Sequence, residues 1–106
     1  MQNILSLIDF KRQIEEHESI ALLIFDPDNE FSRIVFRAIS EATYLSEKAP
    51  VFVVDINEVP DIQSTYEIRE IPSLLFFLKR TLVEVVNGNQ ESEFENALKN
   101  HELVAK

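Results

Sequence analysis

The sequence predicts an α/β protein, one mixed central sheet of about five strands flanked by about four helices, with residues 1–106 forming a single domain. Three observations predict it. Three uninterrupted apolar runs, Ile20–Phe25, Val51–Val54 and Leu74–Phe77, are strand-length and lack polar alternation, as strands buried on both faces do. Segments with apolar residues three and four apart separate these runs, and strands joined through helices lie parallel. The third run, after Leu78, reaches Lys79-Arg80 and then a further mostly apolar stretch, Leu82–Val86. That gap is too short for a crossover, so the last pair is an antiparallel hairpin and the sheet is mixed.

Taken in order, Asn3-Ile4-Leu5 is a short first strand. Ser6 is placed to cap a helix, with Asp9 three residues on. Leu7, Phe10 and Ile14 give that helix its apolar face, while Lys11, Arg12, Gln13, Glu15 and Glu16 face out. It ends near His17–Ser19, and Ile20–Phe25 follows as a central strand. Asp26-Pro27-Asp28-Asn29 breaks the strand, and Asp28 or Asn29 caps the next helix. From about Glu30 a long helix carries Phe31, Ile34, Val35, Ala38 and Ile39 on one stripe, extended unevenly by Phe36 and Leu45. Lys48-Ala49-Pro50 closes it. Val51–Val54 is the next strand, ending at Asp55. Asn57–Pro60 turns the chain into a short helix from about Asp61 to Tyr66. Pro72 has no N–H to give a ladder, so it belongs at the entrance of the following strand. Lys79-Arg80 is the hairpin turn and Asn87-Gly88-Asn89 another turn. Phe94, Ala97 and Leu98 face the last helix inward, and the residues after about Glu102 are expected to fray.

Composition removes several functions. The chain has no cysteine, so disulfides, thiolate metal sites and cysteine nucleophiles are excluded. Its one glycine, Gly88, rules out phosphate loops of the glycine-rich kinds. The formal net charge of −9 argues against nucleic acid as a direct ligand, because the phosphate backbone needs a basic footprint. The same charge allows steering toward a basic partner. No basic-then-apolar leader opens the chain and no apolar run is long enough to span a bilayer, so a cytoplasmic location without membrane contact is expected. His17 and His101 fall in separate helices and are expected to be solvated. Asp26, Asp28 and Glu30 alternate as in a calcium loop, but the glycine, the spacing and the distal glutamate of such a loop are missing, so no metal is expected.

The chain resembles thioredoxins from about Ile4 to Leu98. The most specific segment is Asp55-Ile56-Asn57-Glu58-Val59-Pro60, then Tyr66-Glu67-Ile68-Arg69-Glu70-Ile71-Pro72-Ser73-Leu74-Leu75-Phe76-Phe77. It is similar to the family's "NID…P…YGIRGIPTLLLF" stretch. Gly88 and Phe25 also fall at family positions. The resemblance implies a thioredoxin fold with a cis peptide before Pro72. It also shows what is gone. Where the family carries Cys-Gly-Pro-Cys, this chain reads Glu30-Phe31-Ser32-Arg33. Ile24 and Val53 stand where the family buries an aspartate and a lysine. Without thiols there is no proton traffic to manage, and these positions are expected to be ordinary core. The family often has Asn-Gly where Lys79-Arg80 stands, which leaves the turn type open, a longer turn included.

The resemblance therefore implies a redox-inactive member, not an enzyme, with no cofactor. In thioredoxins an extended peptide pairs with the backbone of the residue before the cis-proline, here Ile71. The corresponding groove beside Pro72 would be rimmed by Glu70, Asp26, Asp28, Asn29, Glu30, Phe31, Asn87 and Asn89, and its acidity favours a basic protein or peptide segment. A chaperone-like assembly role is the expectation. The alternative is a structural subunit or homodimer using an apolar helix surface around Phe36.

Overall fold

Leu23 pairs with Leu74 on one side and Val53 on the other, at the centre of a five-stranded sheet. The computed structural model describes residues 1–44 and 50–104. The elements run β1 (Gln2–Asn3), α1 (Leu7–Glu16), β2 (Ser19–Phe25), α2 (Glu30–Thr43), β3 (Val51–Asp55), α3 (Asp61–Thr65), β4 (Ser73–Leu78), β5 (Thr81–Val86) and α4 (Glu91–Asn100). The strand order is β1-β3-β2-β4-β5. The first two pairings are parallel and the last two antiparallel.

The inner strands alternate between two cores rather than between core and water. Ile20, Leu22 and Ile24 of β2 join Leu75 and Phe77 of β4 under α1 and α3, with Phe10, Ile14 and Ile62. Ala21 and Leu23 join Leu74 and Phe76 under α2 and α4, with Val35, Ile39, Phe94 and Leu98. Apolar burial on both faces is why these runs carry no polar residue. Pro72 is buried at the entrance of β4, and the Ile71–Pro72 peptide is cis. Two helix starts are capped by side chains. Ser6 Oγ accepts from Asp9 N at 3.0 Å, and Asn29 Oδ1 accepts from Ser32 N at 2.8 Å.

Several expectations need correction. The first strand covers Gln2–Asn3 and not Asn3–Leu5; Leu5 is exposed, and only the Ile4 amide extends the ladder, to Val53 O at 2.8 Å. Ile34 lies outside the core, and the buried stripe of α2 runs through Ser32, Val35, Ala38, Ile39 and Thr43. The two polar members are satisfied locally, since Ser32 Oγ accepts from Asp26 N and Thr43 Oγ1 donates to Ile39 O. The β4–β5 turn is short, with Leu78 paired directly to Thr81. Lys79 and Arg80 have φ of 50° and 71°, the two left-handed residues of a type I′ turn that normally selects Asn-Gly.

The chain stays packed past Glu102, as far as Val104. Leu103 and Val104 are buried against the α4 core. Leu103 N donates to Leu98 O and Glu102 N to Lys99 O, both at 3.0 Å, with Glu102 at φ 59°. This is a Schellman cap with glutamate in the place glycine usually holds. The end of α3 repeats it. Ile68 N donates to Gln63 O, Glu67 N donates to Ser64 O, and Glu67 has φ 55°. The histidines are half-buried, not solvated. His17 lies edge-on to Phe52, and His101 stacks on Phe76 with its Nε2 2.6 Å from Glu84 Oε1. The readings that involved Leu45 and Lys48-Ala49 fall outside the described residues.

Candidate functional site

The sheet's register gathers the expected residues at one end. The β2–β4 pairing finishes at Ile24↔Ser73, so Phe25–Asn29 and Glu70–Pro72 continue past the same edge. Leu74↔Val86 carries Asn87–Asn89 there, and Phe25↔Asp55 carries Ile56–Glu58 there. The strand ends, not the helices, therefore place this end's loops side by side.

The loop leading into α2 is well tied. Asp26 Oδ1 accepts from Asp28 N at 2.9 Å and is approached by Asn57 Nδ2 at 3.5 Å. Asn29 N donates to Asp26 O at 3.0 Å, and Arg33 Nη1 donates to Pro27 O at 2.8 Å. Asp26 is half-buried, while Asp28, Asn29, Glu30 and Glu70 are exposed, so the rim is carboxylate-rich. Glu30 also sits in the first turn of α2, where the helix dipole favours a negative charge. Phe31 is half-buried with its ring edge toward Phe94, centroids 6.2 Å apart, so it offers only part of its surface. Asn87 and Asn89 are exposed.

Beside this rim the backbone is open. Neither the N–H nor the C=O of Ile71 has a partner among the described residues, although its side chain is half-buried. Its neighbours are held. Ser73 Oγ donates to Glu70 O, and Ser73 itself is paired in the sheet. A rigid backbone segment with an unused donor and acceptor, at the end of a sheet, is what an added extended strand requires.

The rest of this end carries no thiol. Ile24 and Val53 are fully buried in the two cores. Glu30 and Arg33 stand exposed on the first turn of α2, without a thiol anywhere in the chain. No cluster of three metal-ligating side chains occurs among the described residues. The one shifted acid among the described residues is remote in role. Tyr66 packs edge-to-face on Phe10 and Phe77, and burial raises its phenol above the ordinary 10.0.

A second feature, which the sequence only hinted at through Phe36, lies on the flank of α2. Phe36 stacks on Phe25 with centroids 4.9 Å apart. Together with Pro27, Ser40 and Tyr44 they wall a recess of about 570 Å³, with Arg33, Arg37 and Glu41 on its border. No helix among the described residues is long and apolar enough to cross a membrane.

Comparison with solved structures agrees on the fold. Thioredoxin from Plasmodium falciparum superposes with a TM-score of 0.87 at 16% identity, over 95% of this chain and 99% of that one. Thioredoxin from Malassezia sympodialis gives 0.83 at 19% identity, over 95% and 90%. Mitochondrial thioredoxin 3 from Saccharomyces cerevisiae gives 0.82 at 14%, over 94% of each chain. No family model and no curated protein matches the sequence. At such identities the likeness defines the fold and nothing finer. The chain has the thioredoxin fold, and it is a cysteine-free version of it.

Proposed function

We propose that this cysteine-free protein of thioredoxin fold is a redox-inactive binding module. It captures an extended, basic segment of another protein along Glu70-Ile71, beside Pro72, in a chaperone-like or assembly role. Thiol–disulfide exchange is closed to it, because that reaction needs an attacking thiolate and a second thiol. The observation that carries the proposal is the backbone of Ile71, which has no partner among the described residues. Its N–H and C=O would supply main-chain pairing, and the carboxylates of Asp26, Asp28, Glu30 and Glu70 would supply the preference for Lys and Arg. Phe31 offers a partly exposed ring, and Asn87 and Asn89 close the far rim. Nucleic acid and membrane are not its partners, and the cytoplasm is its place of work.

A peptide array tests this. Bound sequences should be enriched in Lys and Arg, and binding should weaken as salt rises. Glu30→Lys combined with Glu70→Lys should reduce affinity about fivefold or more, since both side chains are exposed and reversal leaves the fold alone. Hits no richer in basic residues than the array, or binding indifferent to the double reversal, contradict peptide capture. A second reading, homodimerisation through the α2 flank, is favoured by the half-buried Phe36 and its apolar recess. Light scattering at high concentration decides it, and a monomer rejects it.

A further inference from the structure

The recess on the flank of α2 is a different kind of surface from the end beside Pro72. Its helical wall is Arg33, Phe36, Arg37, Ser40, Glu41 and Tyr44, residues three and four apart that share one face of α2. Phe25 and Pro27 complete the apolar floor. Ser40 is the smallest side chain in its lining. Phe25 and Phe36, each packed partly against the α2–α4 core, are left half-covered at this side.

The charge on its border is unusual for this chain. The protein has 19 acidic and 10 basic residues, yet two of those cations, Arg33 and Arg37, line this one recess beside a single carboxylate, Glu41. Arg33 is anchored by its single bond to the Pro27 carbonyl, which leaves further N–H groups on the same guanidinium to give. Among the described residues no carboxylate lies within 4.0 Å of either guanidinium, because the one ion pair found there joins His101 and Glu84. Two guanidinium groups with no carboxylate partner among the described residues, bordering stacked aromatic rings, are complementary to an anion on an apolar body. A planar carboxylate matches the guanidinium fork best. A volume of about 570 Å³ suits a small molecule. About 10 Å of helix separates Arg37 from Tyr44, roughly the length of a ten-carbon chain.

We propose that the Phe25–Phe36 recess binds a small amphipathic carboxylate, its apolar body between Phe25, Phe36 and Tyr44 and its carboxylate on Arg37 and Arg33. The site is independent of peptide capture beside Pro72.

Amide chemical shifts followed during titration with sodium decanoate, kept below micelle formation, test it on the full chain. Decan-1-ol is the uncharged comparison. Decanoate should move the amides of Phe25, Phe36, Arg37 and Tyr44, and should bind about tenfold tighter than decanol. Arg37→Gln, at an exposed position, should remove that advantage while leaving the decanol affinity unchanged. Ser40→Phe should fill the recess and abolish both titrations with α2 intact. Equal affinity for decanol and decanoate overturns the proposal, as do shifts confined to other surfaces or no shifts at all. Concentration-dependent broadening of these same amides without ligand assigns the face to a second copy and overturns it as well.

Discussion

Of the positions where the thioredoxin pattern carries its chemistry, one half is buried in this chain and the other exposed. At the buried half, Ile24 and Val53 replace the charged pair of the thioredoxin pattern and are sealed into the two cores. At the exposed half, Glu30 and Arg33 replace the two cysteines and stay in water on the first turn of α2. The difference teaches where each kind of position gets its constraint. A carboxylate sealed at such a position carries a desolvation cost with no partner to offset it, and apolar packing is the stable answer. The exposed positions cost little whichever residue occupies them, so they are available for recognition.

The sharpest way to break this comparison is to restore the buried acid. Ile24→Asp should destabilise the protein by about 4 kcal/mol at neutral pH, because the site offers neither water nor a partner. The penalty should shrink in acid, where the carboxyl can stay protonated. Urea melts at two pH values measure both. A cost under 1 kcal/mol would mean that position is not sealed.

Next in size are exposed positions whose backbone, not side chain, is constrained. Glu67, Arg80 and Glu102 adopt left-handed backbone with φ of 55°, 71° and 59°. Each residue changed to glycine should stabilise the chain by about 1 kcal/mol, because only the Cβ makes that conformation costly. Thermal melts of the three variants check it. Destabilisation would show that the side chains contribute contacts that outweigh the strain.

The Tyr66 phenol is buried enough for its pKa to rise above the ordinary 10.0. In the unfolded chain it ionises near 10, whereas in the folded protein it holds its proton to higher pH. The contribution is thus present below pH 10 and lost as pH climbs past it. Wild type should lose stability above pH 10 faster than Tyr66→Phe does, and parallel curves would contradict the shift.

The smallest effect belongs to the exposed half. Glu30→Ala should change stability by less than about 0.5 kcal/mol, and Arg33→Ala by no more than about 1 kcal/mol for its exposed bond to the Pro27 carbonyl. If either approached the Ile24→Asp value, the contrast between the halves would collapse.

These elements also mark how far the sequence was legible. The continuous runs at Ile20–Phe25, Val51–Val54 and Leu74–Phe77 announced the sheet, because strands buried twice leave no polar trace. Ser6 and Asn29 announced helix starts through their cap chemistry. The end of α4 was illegible. Its left-handed residue is Glu102, and a glutamate there carries none of the signal a glycine would. Leu103 and Val104 then looked like tail and are core. The same reason hid the cap at Glu67 and the type of the Lys79-Arg80 turn. Ile34 was misplaced because counting apolar types favours it over Ser32 and Thr43, which are buried through local hydrogen bonds. The loop end beside Pro72 followed from the strand order, whereas the α2 recess did not. Phe36 hinted at it, but it is the stacking of Phe25 from another element that builds it.

The most direct test of the binding role follows the Ile71 amide while the tightest peptide from the array is titrated. Ile71 N–H has no partner among the described residues. If an extended segment pairs with it, its resonance should shift downfield and its hydrogen exchange should slow as the peptide saturates. If the peptide saturates the protein while Ile71 stays unmoved and exchanging freely, and Phe36, Arg37 and Tyr44 shift instead, capture beside Pro72 is contradicted.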